Sequence, residues 1–273
     1  TEYLTATSTN AFYIRSRGTT NGSIDNVSVK EYTTATNTPR LDYSTGAEAF
    51  LLEPQSTNLA RYSEDFSQYS TGNIPIVTGG FLAPDGTNNA YKITDSGSST
   101  VYRGGLSVNS TATRSVYARS VSGTGTAVLM SYYGNTNNVF TLTEDWQRFE
   151  VNGTTVVPGE DNFYAADFRG SGTLTEYLIW GAQAEALSYA TSYIPTSGSS
   201  VTRNQETCIN ATPEINSEEG VLYAEISALA DDGAANRISL SDGTSSNRLV
   251  IGYTASNNIE TFFVINGVNQ AYI

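Results

Sequence analysis

Apolar and polar residues alternate along most of this chain in short runs, and turn residues separate the runs. The clearest runs in its middle part are 90–94, 113–120, 127–133, 147–154, 161–168 and 177–185. A period of two residues is typical of strands with one buried face, and regular turns between such strands favour β-sandwiches. No stretch has the period of an amphipathic helix. The pattern therefore predicts an all-β protein of tandem β-sandwiches with little or no helix.

The last part of the chain repeats this pattern. Its predicted strands are 221–228, 236–240, 247–253, 261–265 and 268–273. In the first of these, Val221 and Tyr223 lie on one side and Leu222 and Ala224 on the other. The pair Asn266-Gly267 separates the last two strands, and both residue types accept the positive φ angles of a two-residue hairpin turn.

The first residues of the chain resemble a later stretch. Phe12-Tyr13 followed by Arg17-Gly18 is repeated as Phe163-Tyr164 followed by Arg169-Gly170, with a strand-like run after each. We interpret both stretches as the last two strands of a jelly roll, so the first would close a domain that begins upstream. The predicted organisation is 1–32 as the end of an upstream sandwich, 33–52 as a linker, 53–186 as a jelly roll of the carbohydrate-binding type, 187–215 as a second linker and 216–273 as the first part of a concanavalin-like or laminin-G-like sandwich.

Charge and composition exclude several classes of function. The 273-residue chain carries 14 basic and 27 acidic residues, a net charge of −13, which disfavours nucleic-acid binding because that affinity depends on Lys and Arg. No apolar run approaches the length of a membrane helix. Histidine is absent and Cys208 is the single cysteine, so zinc sites and Cys–His or Ser–His catalysis within one chain are disfavoured. We expect a protein that is not an enzyme.

Candidate sugar contacts lie around two neighbouring tyrosines. Tyr132-Tyr133 precede a polar loop, and aromatic walls beside loop amides are typical of binding sites. Neighbouring strand residues point to opposite faces, so at most one of these two rings faces a ligand. The two tryptophans, Trp146 and Trp180, are more typical of core positions. The predicted carbohydrate-binding residues are Tyr102, Tyr132, Tyr133, Asn135 and Asn137.

The loop 85–89 offers oxygen ligands of the kind that calcium prefers. Asp85 and Asn88 are the candidate ligands for a structural calcium ion, and no other cofactor is expected. The alternative is an Asp-Gly turn in which the Asp85 side chain accepts hydrogen bonds from the turn itself. The sequence leaves both interpretations open.

Adjacent carboxylates recur along the chain, and glycosidases need two of them near the reacting bond. Side chains at successive strand positions diverge, so no adjacent pair forms an acid and base couple by itself. The pairs are Glu64-Asp65, Glu144-Asp145, Glu160-Asp161, Glu218-Glu219 and Asp231-Asp232.

Several motifs resemble segments of tailed-phage tail and virion structural proteins. They are LLEPQSTNL at 51–59, YSEDF at 62–66, APDGT at 83–87, WGAQAE at 180–185, SYATSYIPT at 188–196, VTR at 201–203 and EEGVLYAE at 218–225. In such proteins the stretch between these motifs is similar to a carbohydrate-binding jelly roll, and a laminin-G or concanavalin-like sandwich follows. The resemblance covers roughly residues 39–273 and brings no catalytic residue with it.

The resemblance implies a virion structural protein, as part of a tail or head fibre that attaches to glycans on the host surface. Its partners would be other virion proteins, host cell-surface glycans and further copies of itself in a homotrimer, with no nucleic acid and no membrane insertion. Several weak sites would then act together through multivalency. The alternatives are a non-catalytic carbohydrate-binding region of a secreted bacterial polysaccharide-degrading enzyme, or a bacterial surface adhesin.

Overall fold

The computed structural model describes residues 40–42, 49–103, 106, 111–131, 138–155, 162–206, 220–228, 233 and 235–273. The predicted upstream domain at 1–32 lies outside these residues. In the described part the chain is all-β: its only helical element is a three-residue 3₁₀ turn at Phe66–Gln68. The predicted fold class is therefore confirmed.

The strands are numbered in chain order. The first nine are β1 (Arg40–Asp42), β2 (Ala49–Leu51), β3 (Ser56–Asn58), β4 (Ser70–Gly72), β5 (Ile76–Phe81), β6 (Ala90–Thr94), β7 (Thr100–Arg103), β8 (Thr111–Ser120) and β9 (Gly125–Val128). The others are β10 (Val139–Leu142), β11 (Gln147–Thr155), β12 (Phe163–Asp167), β13 (Glu176–Glu185), β14 (Val201–Arg203), β15 (Asn236–Ser241), β16 (Arg248–Tyr253), β17 (Ile259–Ile265) and β18 (Val268–Tyr272).

Two five-stranded antiparallel sheets form the central sandwich. The first sheet has the order β10-β9-β12-β7-β4 and the second has the order β11-β8-β13-β6-β5. Except for the hairpin β9–β10, successive strands from β6 to β13 alternate between the two sheets. This eight-stranded arrangement of interlocked Greek keys is a jelly roll. Strands β4 and β5 extend one edge of each sheet.

The core lies between the two sheets. Phe163 and Val101 of the first sheet, and Val116 and Ile179 of the second, are fully buried in one apolar cluster. Their neighbours along each strand point away from this cluster, which explains the two-residue period of the sequence. Burial of each such side chain stabilises the fold by about 2 kcal/mol.

Strand β13 is buried on both of its faces and contains a β-bulge. The ladder between β13 and β8 shifts between Trp180 and Gln183, where Gly181 has a φ of 66°. The extra residue reverses the alternation, so Ile179 and Ala182 both join the core. Glycine accepts this left-handed conformation without the steric cost that a Cβ brings.

Residues 187–206, which we call the strap, cover the outer face of the second sheet. The strap begins directly after β13, and its strand β14 pairs with β3 from the start of the module. Ile194 is 3% exposed and Thr191 is 1% exposed, so the described part of the predicted linker at 187–215 packs against the sandwich.

The first predicted linker also contains regular structure. Within 33–52, strands β1 and β2 pair as an antiparallel ladder in which Leu41 faces Phe50. Phe50 is 70% exposed.

A four-stranded antiparallel sheet in the order β15-β16-β17-β18 ends the chain. Asn266 and Gly267 have φ angles of 48° and 76°, which confirms the predicted hairpin turn between β17 and β18. The predicted strand at 221–228 keeps its alternation, because Val221 and Tyr223 are exposed while Leu222 is half-buried. It forms no ladder with any residue that the structure describes.

Candidate functional site

Two tyrosines lie side by side on the outer face of the first sheet, and we call them the tyrosine pair. Tyr102 of β7 is directly opposite Tyr164 of β12, and their ring centroids are 5.0 Å apart. Both rings are half-buried and neither joins the core cluster. The neighbouring residues Val101 and Phe163 point inward, so alternation places the two rings outside.

An ion pair supports the second ring of the tyrosine pair. The Arg169 guanidinium lies 4.6 Å from the centroid of Tyr164 and donates from Nη2 to Asp167 Oδ2 at 2.6 Å and from Nε to Asp167 Oδ1 at 2.9 Å. The Asp167 side chain is fully buried, whereas that of Arg169 is 41% exposed. This two-bond geometry fixes the guanidinium plane over the ring.

The charge state of Asp167 follows from these contacts. Burial by itself raises the pKa of Asp167, but hydrogen bonds from Arg169 and Ser131 outweigh it and hold the pKa below its ordinary value. Asp167 in turn raises the pKa of Arg169. Both groups are therefore charged at neutral pH, and the support of the tyrosine pair is a permanent ion pair.

Of the predicted sugar contacts, Tyr102 is placed on this surface. The others, Tyr132, Tyr133, Asn135 and Asn137, lie outside the described residues. The residue before them, Ser131, accepts a hydrogen bond at 3.0 Å from the backbone N–H of Tyr164. Tyr164 was not predicted, although its place beside Arg169 in the sequence repeat was a signal.

A cavity of about 630 Å³ opens elsewhere on the sandwich, next to the second sheet and the strap. Neither tyrosine of the pair lines it. It combines aromatic rings with carboxylates and amides, and its volume is within the usual range of small-ligand sites. Its lining includes Tyr62, Glu64, Asp65, Gln68, Asn88 and Tyr91.

Glu64 and Asp65 both line this cavity, contrary to the expectation that adjacent carboxylates diverge. That expectation assumed a strand, but the chain bends at residues 63–64 and enters the 3₁₀ turn at Phe66–Gln68. Asp65 is the N-terminal cap of the turn, and its Oδ1 accepts from the Ser67 N–H at 3.1 Å.

The two carboxylates have different hydrogen-bonding states. Glu64 accepts from Tyr193 at Oε1 and from Asn89 at Oε2, at 2.9 and 2.8 Å. Asp65 accepts from Tyr91 at Oδ1, at 2.7 Å. Among the described residues no well-formed hydrogen bond reaches its Oδ2, although the Gln68 side chain also contributes to the lowered pKa of this carboxylate. One carboxylate is thus built into the protein and the other keeps an acceptor for a ligand.

Asp65 is ionised at neutral pH. Burial raises its pKa, but hydrogen bonds from Ser67 and Tyr91 together outweigh that effect, so the pKa of Asp65 lies below its ordinary value. A general acid would need the opposite shift. This environment makes Asp65 a hydrogen-bond acceptor and not a proton donor.

The predicted calcium ligands have separate surroundings. Asp85 Oδ1 accepts from the backbone N–H and the hydroxyl of Thr87, at 2.9 and 2.7 Å, which is the turn alternative of the prediction. Asn88 lines the cavity, and Asp85 does not. In the described ranges no group of three or more acidic, His or Cys side chains is placed to hold a metal ion.

The tryptophans pack against the outer face of the second sheet. Trp180 is 4% exposed and donates from Nε1 to Asn89 at 2.8 Å, so it is a core residue as predicted. Trp146 is half-buried beside the same small cluster and donates to the Leu82 carbonyl at 3.2 Å.

Comparison with protein-family models and with curated protein sequences gives no match for this chain. Within the described residues no helix is both long and apolar enough to cross a membrane.

Proposed function

We propose that this chain is a non-catalytic glycan-binding segment of a tailed-phage tail or head fibre, or of a similar virion appendage. The observation that carries the binding part is the tyrosine pair, Tyr102 and Tyr164. Arg169 lies over one face of the Tyr164 ring, so a pyranose ring would contact the ring surface of the pair that remains exposed on this sheet face. Arg169 offers its remaining N–H groups beside that surface.

Rigidity favours this surface as a binding site. Both tyrosines belong to paired strands, and the Asp167–Arg169 ion pair fixes the second ring. Little side-chain entropy is lost when a ligand stacks on rings that are already held in place. One such surface binds weakly, and several copies on a homotrimeric fibre would multiply the affinity.

The virion part of the proposal rests on the motifs at 51–59, 180–185 and 188–196 that resemble tail and structural proteins of tailed phages. The described residues of the jelly roll present no recognisable acid and base couple, which favours attachment over chemistry in this proposal. The site would therefore hold the particle on bacterial surface glycans while other virion proteins act.

Glycan binding is tested with the purified chain on an array of bacterial surface polysaccharides. We expect retention on at least one glycan and a loss of at least about tenfold in affinity for Tyr102→Ala and for Tyr164→Ala. Tyr272→Ala is the matched control, because Tyr272 is 64% exposed but lies in β18. Equal binding by all three variants, or release of new reducing ends from the glycan, contradicts the proposal.

The virion assignment has a separate test. Mass spectrometry of purified phage particles should detect this sequence, and sedimentation of the natural full-length protein should give the mass of a trimer. Detection only in the secreted fraction of a culture, joined to a polysaccharide-degrading domain, would replace the virion assignment with the accessory-region alternative.

A further inference from the structure

We propose that the cavity beside the strap is a second binding site, which takes one or two sugar units through the Asp65 carboxylate and excludes anionic sugars. This site is separate from the tyrosine pair of the proposed function. Its ligand would present two adjacent hydrogen-bond donors, either two hydroxyls or a hydroxyl and an amine, to Asp65.

Asp65 presents an oriented carboxylate to the cavity. Its Oδ1 is fixed by Ser67 and Tyr91, and this anchors the carboxylate without using Oδ2. An ionised carboxylate that is already oriented forms strong hydrogen bonds with ligand donors. Adjacent hydroxyls on a pyranose ring have the spacing to reach one carboxylate group.

The rest of the lining is both aromatic and polar. Tyr62 and Tyr91 supply rings, and Gln68 and Asn88 supply amides that both donate and accept. A volume of about 630 Å³ is larger than one hexose needs, so the cavity has room for a second unit or for bridging water. Aromatic walls with few converging polar groups are typical of sites for small hydroxylated ligands.

The lining of the cavity is acidic. It contains Glu64 and Asp65 but no Lys or Arg. The whole chain carries a net charge of −13, so the surrounding field also repels anions. A uronate or a sialylated sugar would place its carboxylate against Asp65. The Arg103 guanidinium beside the lining is already held over the Tyr62 ring at 5.2 Å and donates to the Gln68 carbonyl at 3.1 Å.

The wall behind Asp65 is rigid. Glu64 links Tyr193 of the strap to Asn89, and Asn89 accepts from Trp180 at 2.8 Å. The Ser63 hydroxyl also forms a hydrogen bond with the Tyr193 oxygen, at 2.7 Å. The strap therefore shapes one side of the cavity in addition to covering the sheet.

The probes for the test are glucose, glucosamine and glucuronate, each as a disaccharide, with binding followed by NMR titration of the purified chain. We expect weak binding of the first two, with dissociation constants on the order of 1 mM, and no saturable shifts with glucuronate. Glucose and glucosamine distinguish a pair of hydroxyls from an amine as the preferred donor. Glucuronate binding as strong as glucose binding would overturn the exclusion of anions.

Substitutions of residues that line the cavity test whether the ligand binds there. Asp65→Asn keeps the capping ability of this residue but removes the charge, and we expect at least about tenfold weaker binding. Asn88→Ala should weaken binding about threefold or more. Asp85→Asn is the matched control, because Asp85 is a nearby turn carboxylate outside the lining, and its binding should equal that of the unmodified chain.

The variants distinguish failure of the cavity proposal from failure of the tyrosine-pair proposal. If Tyr102→Ala abolishes binding of all the disaccharides and Asp65→Asn does not change it, the cavity proposal is wrong and the tyrosine pair is the site. If only Asp65→Asn and Asn88→Ala weaken binding, the cavity is a site and the tyrosine pair is not. Thermal unfolding of each variant shows whether a loss of binding is a loss of fold.

Discussion

The outer faces of the two sheets of the jelly roll differ in what covers them. On the second sheet, the strap covers β13, so that Gln183 and Glu185 are fully buried and hydrogen-bonded. On the first sheet, Tyr102 and Tyr164 remain half-exposed. The same fold thus buries one outer face and leaves aromatic rings half-exposed on the other. The covered face combines buried polar residues with the cluster around Trp180 and Tyr193.

The strap interface is the place where a substitution should cost most. Glu185 accepts from Ser56 at 2.6 Å, from the backbone N–H of Thr191 at 3.0 Å and from the Thr191 hydroxyl. Glu185→Ala leaves these buried donors unpaired, and we expect a loss of about 3 kcal/mol in the free energy of unfolding, measured with urea. Glu176→Ala removes a half-exposed ion pair with Lys92 and a 3.3 Å hydrogen bond from Thr94, and it should cost less than about 1 kcal/mol. Equal costs would show that the strap does not stabilise the module.

A substitution in the β-bulge of β13 should cause the next largest loss of stability. Gly181→Ala places a Cβ at a φ of 66° and about 3.0 Å from the Tyr117 ring, so we expect a loss of about 2 kcal/mol in thermal or urea unfolding. Gly86→Ala is the control, because Gly86 has a φ of 86° with no atom near its Cβ position. Its cost should be about 1 kcal/mol from backbone strain alone. A larger cost at Gly86 would contradict the role given to Tyr117.

On the open face, loss of the ion pair that supports the tyrosine pair should lower the free energy of unfolding by a smaller amount, and that amount should depend on pH. Arg169→Gln removes the partner of buried Asp167, and we expect a loss of about 1 kcal/mol at neutral pH because Arg169 is partly exposed. The folded state lowers the pKa of Asp167, so its contribution is present above the ordinary value of 3.8 and is lost as the pH falls through the lowered pKa.

Asp65 and Asp95 also have lowered pKa values and contribute to the pH dependence of the unmodified chain. Comparison of the unmodified chain with Arg169→Gln isolates the contribution of Asp167. The difference in unfolding free energy between the unmodified chain and Arg169→Gln should shrink from about pH 6 to about pH 3. A difference that stays constant over this range would show that the ion pair contributes through packing and not through charge.

The smallest expected effect is a gain in stability from a substitution in the turn that joins the two sheets. Ile74 lies between β4 and β5 with a φ of 46° and is 81% exposed, so its β-branched side chain is strained without being buried. Ile74→Asn should raise the free energy of unfolding by about 0.5 kcal/mol, since Asn accepts this conformation. Ile76→Asn in β5 is the control and should lower it slightly, because Asn is disfavoured in strands. A loss at residue 74 would mean that Ile74 makes a stabilising contact.

The longer strands of the sandwich were the most predictable part of the molecule. The range predicted at 90–94 is β6, and that at 177–185 differs from β13 by one residue. Alternation is a local signal, so it is visible without knowledge of the partner. Strands β3 and β14 have three residues each and were missed, because such short segments contain too few positions for a period.

The strap and the cavity could not be predicted for a different reason. Their contacts join residues far apart in sequence, such as the Ser63 N–H and the Thr196 hydroxyl at 3.0 Å. Sequence composition showed Thr196 only as part of a polar, Pro-containing connector. The bend at residues 63–64 likewise depends on tertiary packing, and it alone places Glu64 and Asp65 in one cavity.

The pairing of β3 with β14 brings the incoming and outgoing chain of the module to the same point. Glu206 donates from its backbone to the Glu53 carbonyl at 2.9 Å, and Arg203 forms an ion pair with Glu53 at 2.6 Å. A tensile force transmitted along the polypeptide therefore acts first on this clamp, one hydrogen bond at a time. The eight strands of the jelly roll lie outside the path of that force until the clamp opens, so the module would keep its surfaces intact while the chain is stretched.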